Sequence, residues 1–381
     1  MPVPLIRCLT TTDEIAELFS DHSILAAMLR FEVGLARAQA RLGVIPRRAA
    51  ESIAAAAHPE FFDPADLARH ARENATLAIP LVDALTARVR AIDADAATFV
   101  HWGTTSQDLI DTAFVLLLAR ARDPLARDHA RLGRALHDLS ERHAGTGMVA
   151  RTLLQPALPS TFGYKTAGYY GSISRAWAGI VPAFDRAVQL QLGGAAGTLA
   201  SYGDDGPALA AELGRELGLP VPPAPWHVHR EQLATVVTSC GIYAASLAKM
   251  ATDLALLMQP EVGEVSEPGG RSSAMPHKRN PAGSVVALAS VASVPGAVGT
   301  YLRLMVHEHE RAAGNWQAEW QTIADVVSGV ASALSALADA FEHLEVHSDR
   351  MRANLEAALT PAPASVGAAE TFRRRLLENP E

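Results

Sequence analysis

The sequence predicts an all-α fold built around a central bundle of long helices. Three observations carry this prediction. Two segments place apolar side chains at alternating spacings of three and four over several heptads, no stretch alternates in strand fashion between hairpin turns, and Gly and Pro gather in a few runs that separate the segments.

The elements follow in chain order. A helix is expected to start near Ser20 or Asp21, residues that cap well, and to run through residues 24–42. Gly43, with Pro46 beyond, stops it. A further helix begins near Asp111 and carries Phe114, Val115 and Leu118; Pro124 is expected to kink or end it. The first heptad segment comprises Leu233, Val236 or Val237, Cys240, Ala244, Leu247, Ala251, Leu254 and Met258. A helical stretch from Pro281 to Glu310 follows, with a kink expected at Pro295. The second heptad segment comprises Trp316, Trp320, Ile323, Val327, Val330, Leu334, Leu337, Phe341 and Leu344. This is the pattern of coiled-coil-like packing, and each heptad segment spans roughly 40 Å at the helical rise per residue. Loops are expected at Gly193–Gly197, Leu219–Pro225 and Gly263–Asn280. Thr360-Pro361-Ala362-Pro363 reads as a linker before one short helix, and no internal repeat is found.

Composition narrows the function. The 381 residues allow two or three domains or one elongated one. Hydrophobic residues make up 49% and charged residues only 19%, a balance that points to apolar surface buried between subunits. A net charge of -8 argues against a general nucleic-acid binder but leaves room for a local basic pocket. Cys8 and Cys240 lie far apart with no metal-ligand spacing, as reduced thiols of a cytoplasmic protein would. Residues 1–10 show no apolar signal core, and no apolar run is judged long enough to cross a membrane.

The chemistry concentrates in Glu267–Asn280. Gly269 and Gly270 permit backbone conformations closed to other residues, so the loop can turn several N–H groups toward one anion. Ser272 and Ser273 supply hydroxyls, and Lys278, Arg279 and Asn280 supply cations and an amide donor. Such a set suits a carboxylate substrate that gains negative charge during reaction. Taken alone, the same residues read more readily as a solvated glycine-rich loop with incidental charges.

The run Ser272-Ser273-Ala274-Met275-Pro276-His277-Lys278-Arg279-Asn280-Pro281 resembles the signature loop of the fumarase/aspartase superfamily. His101–Thr112 resembles its first conserved block and Arg151–Gly163 its second, so the resemblance covers nearly the whole chain. Thr105-Ser106-Gln107-Asp108, Gly193–Leu199, Pro225-Trp226-His227 and His309–Trp320 look most like the cycloisomerase branch, in which a substrate carboxylate closes a lactone.

The resemblance implies a homotetramer with a shared twenty-helix core, each active site built from three subunits. It implies an N-terminal helical domain at 1–104, a long-helix domain at 105–348 and a short remnant of the C-terminal domain at 349–381. The substrate would be a small di- or tricarboxylate, with no metal or organic cofactor, and neither nucleic acid nor membrane as partner. Ser272 would be the catalytic base in elimination and the proton donor in addition. Lys278 and Asn280 would hold the substrate carboxylate that gains charge, and Thr105, Ser106 and Gln155 the others. Ser273, Met275, His101 and Arg311 complete the expected substrate contacts.

Two positions depart from the pattern. Where branches that expel an amine carry a histidine thought to act as general acid, this chain has Leu153. A carboxylate leaving group, with its pKa near ~4, needs no such acid. Leu153 therefore favours cycloisomerase chemistry, and equally tolerates nitrite release from a nitrosuccinate. Arg271 stands where glycine usually precedes the reactive serine. It adds a cation for a third carboxylate, or it stiffens the loop.

Each remaining candidate has a structural reading beside its functional one. His101 orients its loop or touches substrate; His227, His229 and Arg230 lack the companions of a metal site. His307 and His309 are expected to line a helix end, Glu310 and Arg311 to pair locally, and Trp316 and Trp320 to open the core of their helix. A catalytically silent relative is the alternative to an enzyme; Ser272, Lys278, Asn280, Thr105 and Ser106 argue for the enzyme.

Overall fold

The computed structural model describes residues 3, 5–359 and 365–380. The N-terminal part comprises α1 (Asp13–Leu18), α2 (Asp21–Arg41), α3 (Arg47–Ala56), α4 (Pro64–Asn74) and α5 (Ala78–Ile92). Next come α6 (Ser106–Arg142), β1 (Gly147–Thr152), β2 (Gln155–Thr161), α7 (Phe162–Ala187), α8 (Gly206–Leu217) and α9 (Glu231–Leu257). The chain continues through β3 (Val265–Ser266), α10 (Ala282–Val291), α11 (Val294–Leu304), α12 (Asn315–Glu342), β4 (Glu345–Val346), α13 (Ser348–Ala358) and α14 (Ala369–Glu378). The helix expected after the proline-rich tail is α14; the linker at Thr360–Pro363 lies outside the described residues.

Helices α6, α7, α9, α10 and α12 pack side by side as the bundle, with α2 laid against α6. The two heptad segments are α9 and α12. Leu233, Val236, Val237, Cys240, Leu247 and Leu254 are buried on α9, and Trp316, Ile323, Val327, Val330, Leu334, Leu337 and Phe341 on α12. Local signals set several ends. Ser20 Oγ accepts the Ser23 N–H at 3.2 Å to start α2, and Gly43 takes the left-handed φ of 72° after it.

Three expectations need correction. Of the two outcomes expected at Pro124, the end does not occur: α6 runs on to Arg142 with Pro124 buried in its middle; tertiary packing along the bundle outweighs one missing backbone bond. The break in the 281–310 stretch falls at residues 292–293, so that Pro295 lies in the first turn of α11, where its missing N–H costs nothing. The third correction is a hairpin. Strands β1 and β2 pair antiparallel, with Thr152 opposite Gln155. No Asn-Gly pair announces its turn; Leu153 and Leu154 take φ values of 50° and 64°, the left-handed region that leucine avoids.

Among the described residues, three segments are also long and apolar enough by composition to cross a membrane: Glu231–Leu257, Ala282–Leu304 and Asn315–Glu342. That corrects the reading that no run suffices. The first and third spend this apolarity within the bundle, with 50% and 67% of their most apolar windows buried. The second buries only 28%, leaving an apolar face on α10 and α11 that includes Val285 and Leu302.

One buried polar network ties the bundle together. Arg230, at the head of α9, donates to both Asp111 oxygens of α6 at 2.7 and 3.0 Å and to Glu319 of α12 at 2.6 Å. Trp316 Nε1–H donates to Asp111 at 2.9 Å, Tyr301 donates to Glu319 at 3.2 Å, and His307 Nε2 lies 2.9 Å from Glu319. Burial pushes the Asp111 carboxyl up, but Arg230 outweighs it and holds the group below its ordinary value. His307 stands just past the end of α11, as expected, with its ring turned into the core toward Glu319.

Candidate active site

The first group of site residues gathers at the N-terminal end of α6. Asp108, fully buried, organises it. Its carboxylate accepts the Thr105 N–H at 3.2 Å, the Thr104 hydroxyl at 2.9 Å and the N–H groups of Gly193 and Gly194, each at 2.8 Å. His227 Nε2 lies 2.7 Å from the same carboxylate, and a Cβ at Gly193 would press on the His227 ring. The glycine loop is therefore fixed from inside the protein. Arg311 fixes it from outside, donating to Thr105 Oγ1 at 3.0 Å and to the Ala195 carbonyl at 2.9 Å. Arg311 does not pair with Glu310, its expected neighbour; the carbonyls of the glycine loop offer it better-placed acceptors. Ser106 is the first residue of α6, beside Thr105.

His101 stands close by in a left-handed conformation, φ 55°, with Nδ1 2.5 Å from Glu32 Oε1. Burial works against its protonated form, but the Glu32 carboxylate, with help from Asp108, raises it above its ordinary value. Glu32, Asp108 and His227 were not singled out from sequence as site residues. Asp108 and His227 lay within recognised motifs, whereas Glu32 sits mid-helix on α2 and offered no signal.

The second group lies on the loop between β3 and α10. Glu267 anchors it by accepting the Gly283 N–H at 2.7 Å and the N–H and hydroxyl of Ser284. The Asn280 N–H donates to the Gly270 carbonyl at 2.7 Å, and Arg271 pairs with Arg279 in an antiparallel bridge. Gly270 has φ 66°, and a Cβ there would overlap the Asn280 carbonyl oxygen, so the stem closes only around glycine. Within this closed loop, Ser272 Oγ accepts the N–H groups of Ala274 at 3.3 Å and Met275 at 3.1 Å. Two donors aimed at one serine oxygen stabilise the alkoxide that an acid–base serine must become. Ser273, Met275 and Lys278 are exposed along the loop, and Asn280 is half-buried at its stem.

Gln155 belongs to a third place, the first residue of β2 beside the turn, where it is exposed. Arg151 of the same hairpin bonds Glu264, just before β3, at 2.7 and 3.0 Å. The bases of the hairpin and the serine loop are thereby joined.

The two groups stand at opposite ends of the bundle. The hairpin follows the far end of α6, whose 37 residues span about 55 Å from Thr105. Strand β3 pairs with β4, beyond the far end of α12, whose 28 residues put about 42 Å between that end and the Arg311 side. A loop closed at residues 270 and 280 cannot bridge such a gap. Within one chain, Thr105, Ser106, His101 and Arg311 come together, and the serine loop and Gln155 do not join them.

Among the described residues no three His, Cys, Asp or Glu side chains gather as a metal site would require.

The model of a family described as lyase matches residues 7–296. A 3-carboxy-cis,cis-muconate cycloisomerase of Bradyrhizobium diazoefficiens is 45% identical over 93% of this chain and 79% of its own length. A nitrosuccinate lyase of Streptomyces davaonensis is 42% identical, covering 88% and 73% respectively. The crystal structure of a 3-carboxy-cis,cis-muconate lactonizing enzyme from Pseudomonas putida superposes with a TM-score of 0.93 at 34% identity, covering 99% of this chain and 98% of that one.

Proposed function

Because the chain belongs to the fumarase/aspartase superfamily of lyases and cycloisomerases, we propose that it converts 3-carboxy-cis,cis-muconate to a carboxymuconolactone. One substrate carboxylate oxygen attacks the distal alkene carbon. The displaced electron pair passes into the carboxylate conjugated with that alkene, giving an aci-carboxylate. The Ser272 hydroxyl then delivers its proton to the carbon alpha to that group, and solvent reprotonates the serine. Lys278 and Asn280 hold the carboxylate that gains charge. Thr105, Ser106, Gln155, Ser273, Met275, His101 and Arg311 contact the rest of the substrate, and no cofactor takes part.

The observation that carries this reading is the Ser272 oxygen, held by two N–H groups in a loop whose Lys278 has no anionic partner among the described residues. Leu153 supports it, because the hairpin tip offers no acid for an amine leaving group. The two-ended distribution of the site residues supports a homo-oligomer in which the serine loop of one copy meets the Thr105 end of another. The apolar face of α10 and α11 supports the same assembly, with 105–348 as its core domain flanked by 1–104 and 349–381. A cytoplasmic location belongs to this reading.

The similarity to a nitrosuccinate lyase favours one second reading, elimination of nitrite to give fumarate. Ultraviolet assays separate the two. Loss of the conjugated diene absorbance of 3-carboxymuconate is expected. Fumarate formed from nitrosuccinate, with the diene untouched, would replace the first reading by the second.

A further inference from the structure

The stem of the serine loop places two arginines directly opposite one another. Arg271 and Arg279 are partners in an antiparallel bridge, so both side chains stand on one face with Cβ atoms roughly 5 Å apart. Like charges in that position destabilise a strand pair. Nothing on the loop compensates: residues 268–280 contain no Asp or Glu, and Glu267 is committed to Gly283 and Ser284. Both arginines are exposed, and among the described residues neither side chain has a hydrogen bond or an ion pair.

The spacing between them is fixed independently of their side chains. The Asn280 N–H to Gly270 carbonyl bond and the close approach at Gly270 hold the stem closed. Stiffness therefore comes from Gly270 and Asn280, and the arginine at 271 is left with its charge and its planar fork of donors. Two guanidinium groups side by side match one carboxylate, each able to donate in bidentate fashion. Ser272 is the next residue after Arg271, so the paired cations border the reacting hydroxyl. In the proposed site, Lys278 and Asn280 hold the carboxylate that gains charge, and Thr105, Ser106 and Gln155 reach the others. Of these only Lys278 is charged, so the other cations of the serine loop are free to match a further carboxylate.

We propose that Arg271 and Arg279 form a two-arginine clamp for the third carboxylate, and so select a tricarboxylate substrate over a dicarboxylate. The identity of that substrate rests on the function proposed above; the clamp itself is tested by binding alone. Calorimetry on the assembled full-length protein measures affinity for tricarballylate, a tricarboxylate, and for glutarate, the same chain without the central carboxyl group. The wild-type protein is expected to bind tricarballylate more tightly. Arg271→Gln should weaken tricarballylate at least tenfold, about 1.4 kcal/mol, and leave glutarate within about twofold. Arg271→Lys, which keeps the charge and loses the fork, should fall between. Because Arg271 is exposed and Arg271→Gln relieves the like-charge pair, neither variant should melt below the wild-type protein, and either one alone supplies the comparison. No wild-type preference for tricarballylate, equal weakening of both ligands, or no weakening of either would overturn the clamp. Failure of the wild-type protein to turn over 3-carboxymuconate would overturn the function and leave the binding comparison intact.

Discussion

Replacing Ser272 by alanine removes one oxygen, and the structure limits what else is lost. Among the described residues that oxygen accepts only the N–H groups of Ala274 and Met275, on a loop at the surface, so both donors turn to water in the variant. The stem bonds at Gly270 and Asn280 and the Glu267 anchor are untouched. Stability should change by less than about 0.5 kcal/mol, as at other surface positions. The catalytic loss is of another size. A positioned acid–base group contributes roughly 10²–10⁴ in rate, and no neighbouring hydroxyl is held by the same two donors. We expect turnover to fall at least 10³-fold, about 4 kcal/mol in barrier. The assay follows diene absorbance with 3-carboxymuconate in wild-type and Ser272→Ala protein, with melting temperature and sedimentation as controls. Turnover within about tenfold of wild type, in a variant with normal assembly, would refute serine as the proton donor. It would turn attention to another group at the meeting of the two ends.

Other expectations follow from particular contacts. Arg230→Met strands the Asp111 and Glu319 carboxylates in the core and should cost about 3–5 kcal/mol, read as a lowered urea midpoint; an unchanged midpoint would show that the network is not structural. Leu153→Ala should leave the rate near wild type, since the side chain is 95% exposed in the chain and carries no acid; a large rate loss with normal melting would give the hairpin tip a catalytic part. His101 is raised above its ordinary value by Glu32, so their pairing adds stability in full below the unfolded value near ~6.5 and loses it as pH rises through the elevated folded value. Glu32→Gln should flatten the pH dependence of the urea midpoint across that interval; a slope equal to wild type would remove Glu32 as the cause.

The heptad spacing of α9 and α12, the Ser20 cap and the Gly43 stop of α2 were legible because each depends on residues within a few turns of one another. The three motif blocks were legible for the same reason: their residue types sit in continuous runs. What the sequence did not display is what depends on distance. The Leu153–Leu154 turn holds two leucines in a conformation they disfavour, so propensity pointed away from a hairpin that pairing and the Arg151–Glu264 bond maintain. Glu32 reaches His101 across 69 residues of sequence, and Asp108 reaches His227 across 119. By itself the sequence determined the helix class, the serine loop and its donors. Only the tertiary structure decided that two long, stiff helices hold the halves of the proposed site at opposite ends of one chain. It also decided that Arg271, an unexplained departure in the linear text, faces a second arginine across a closed stem.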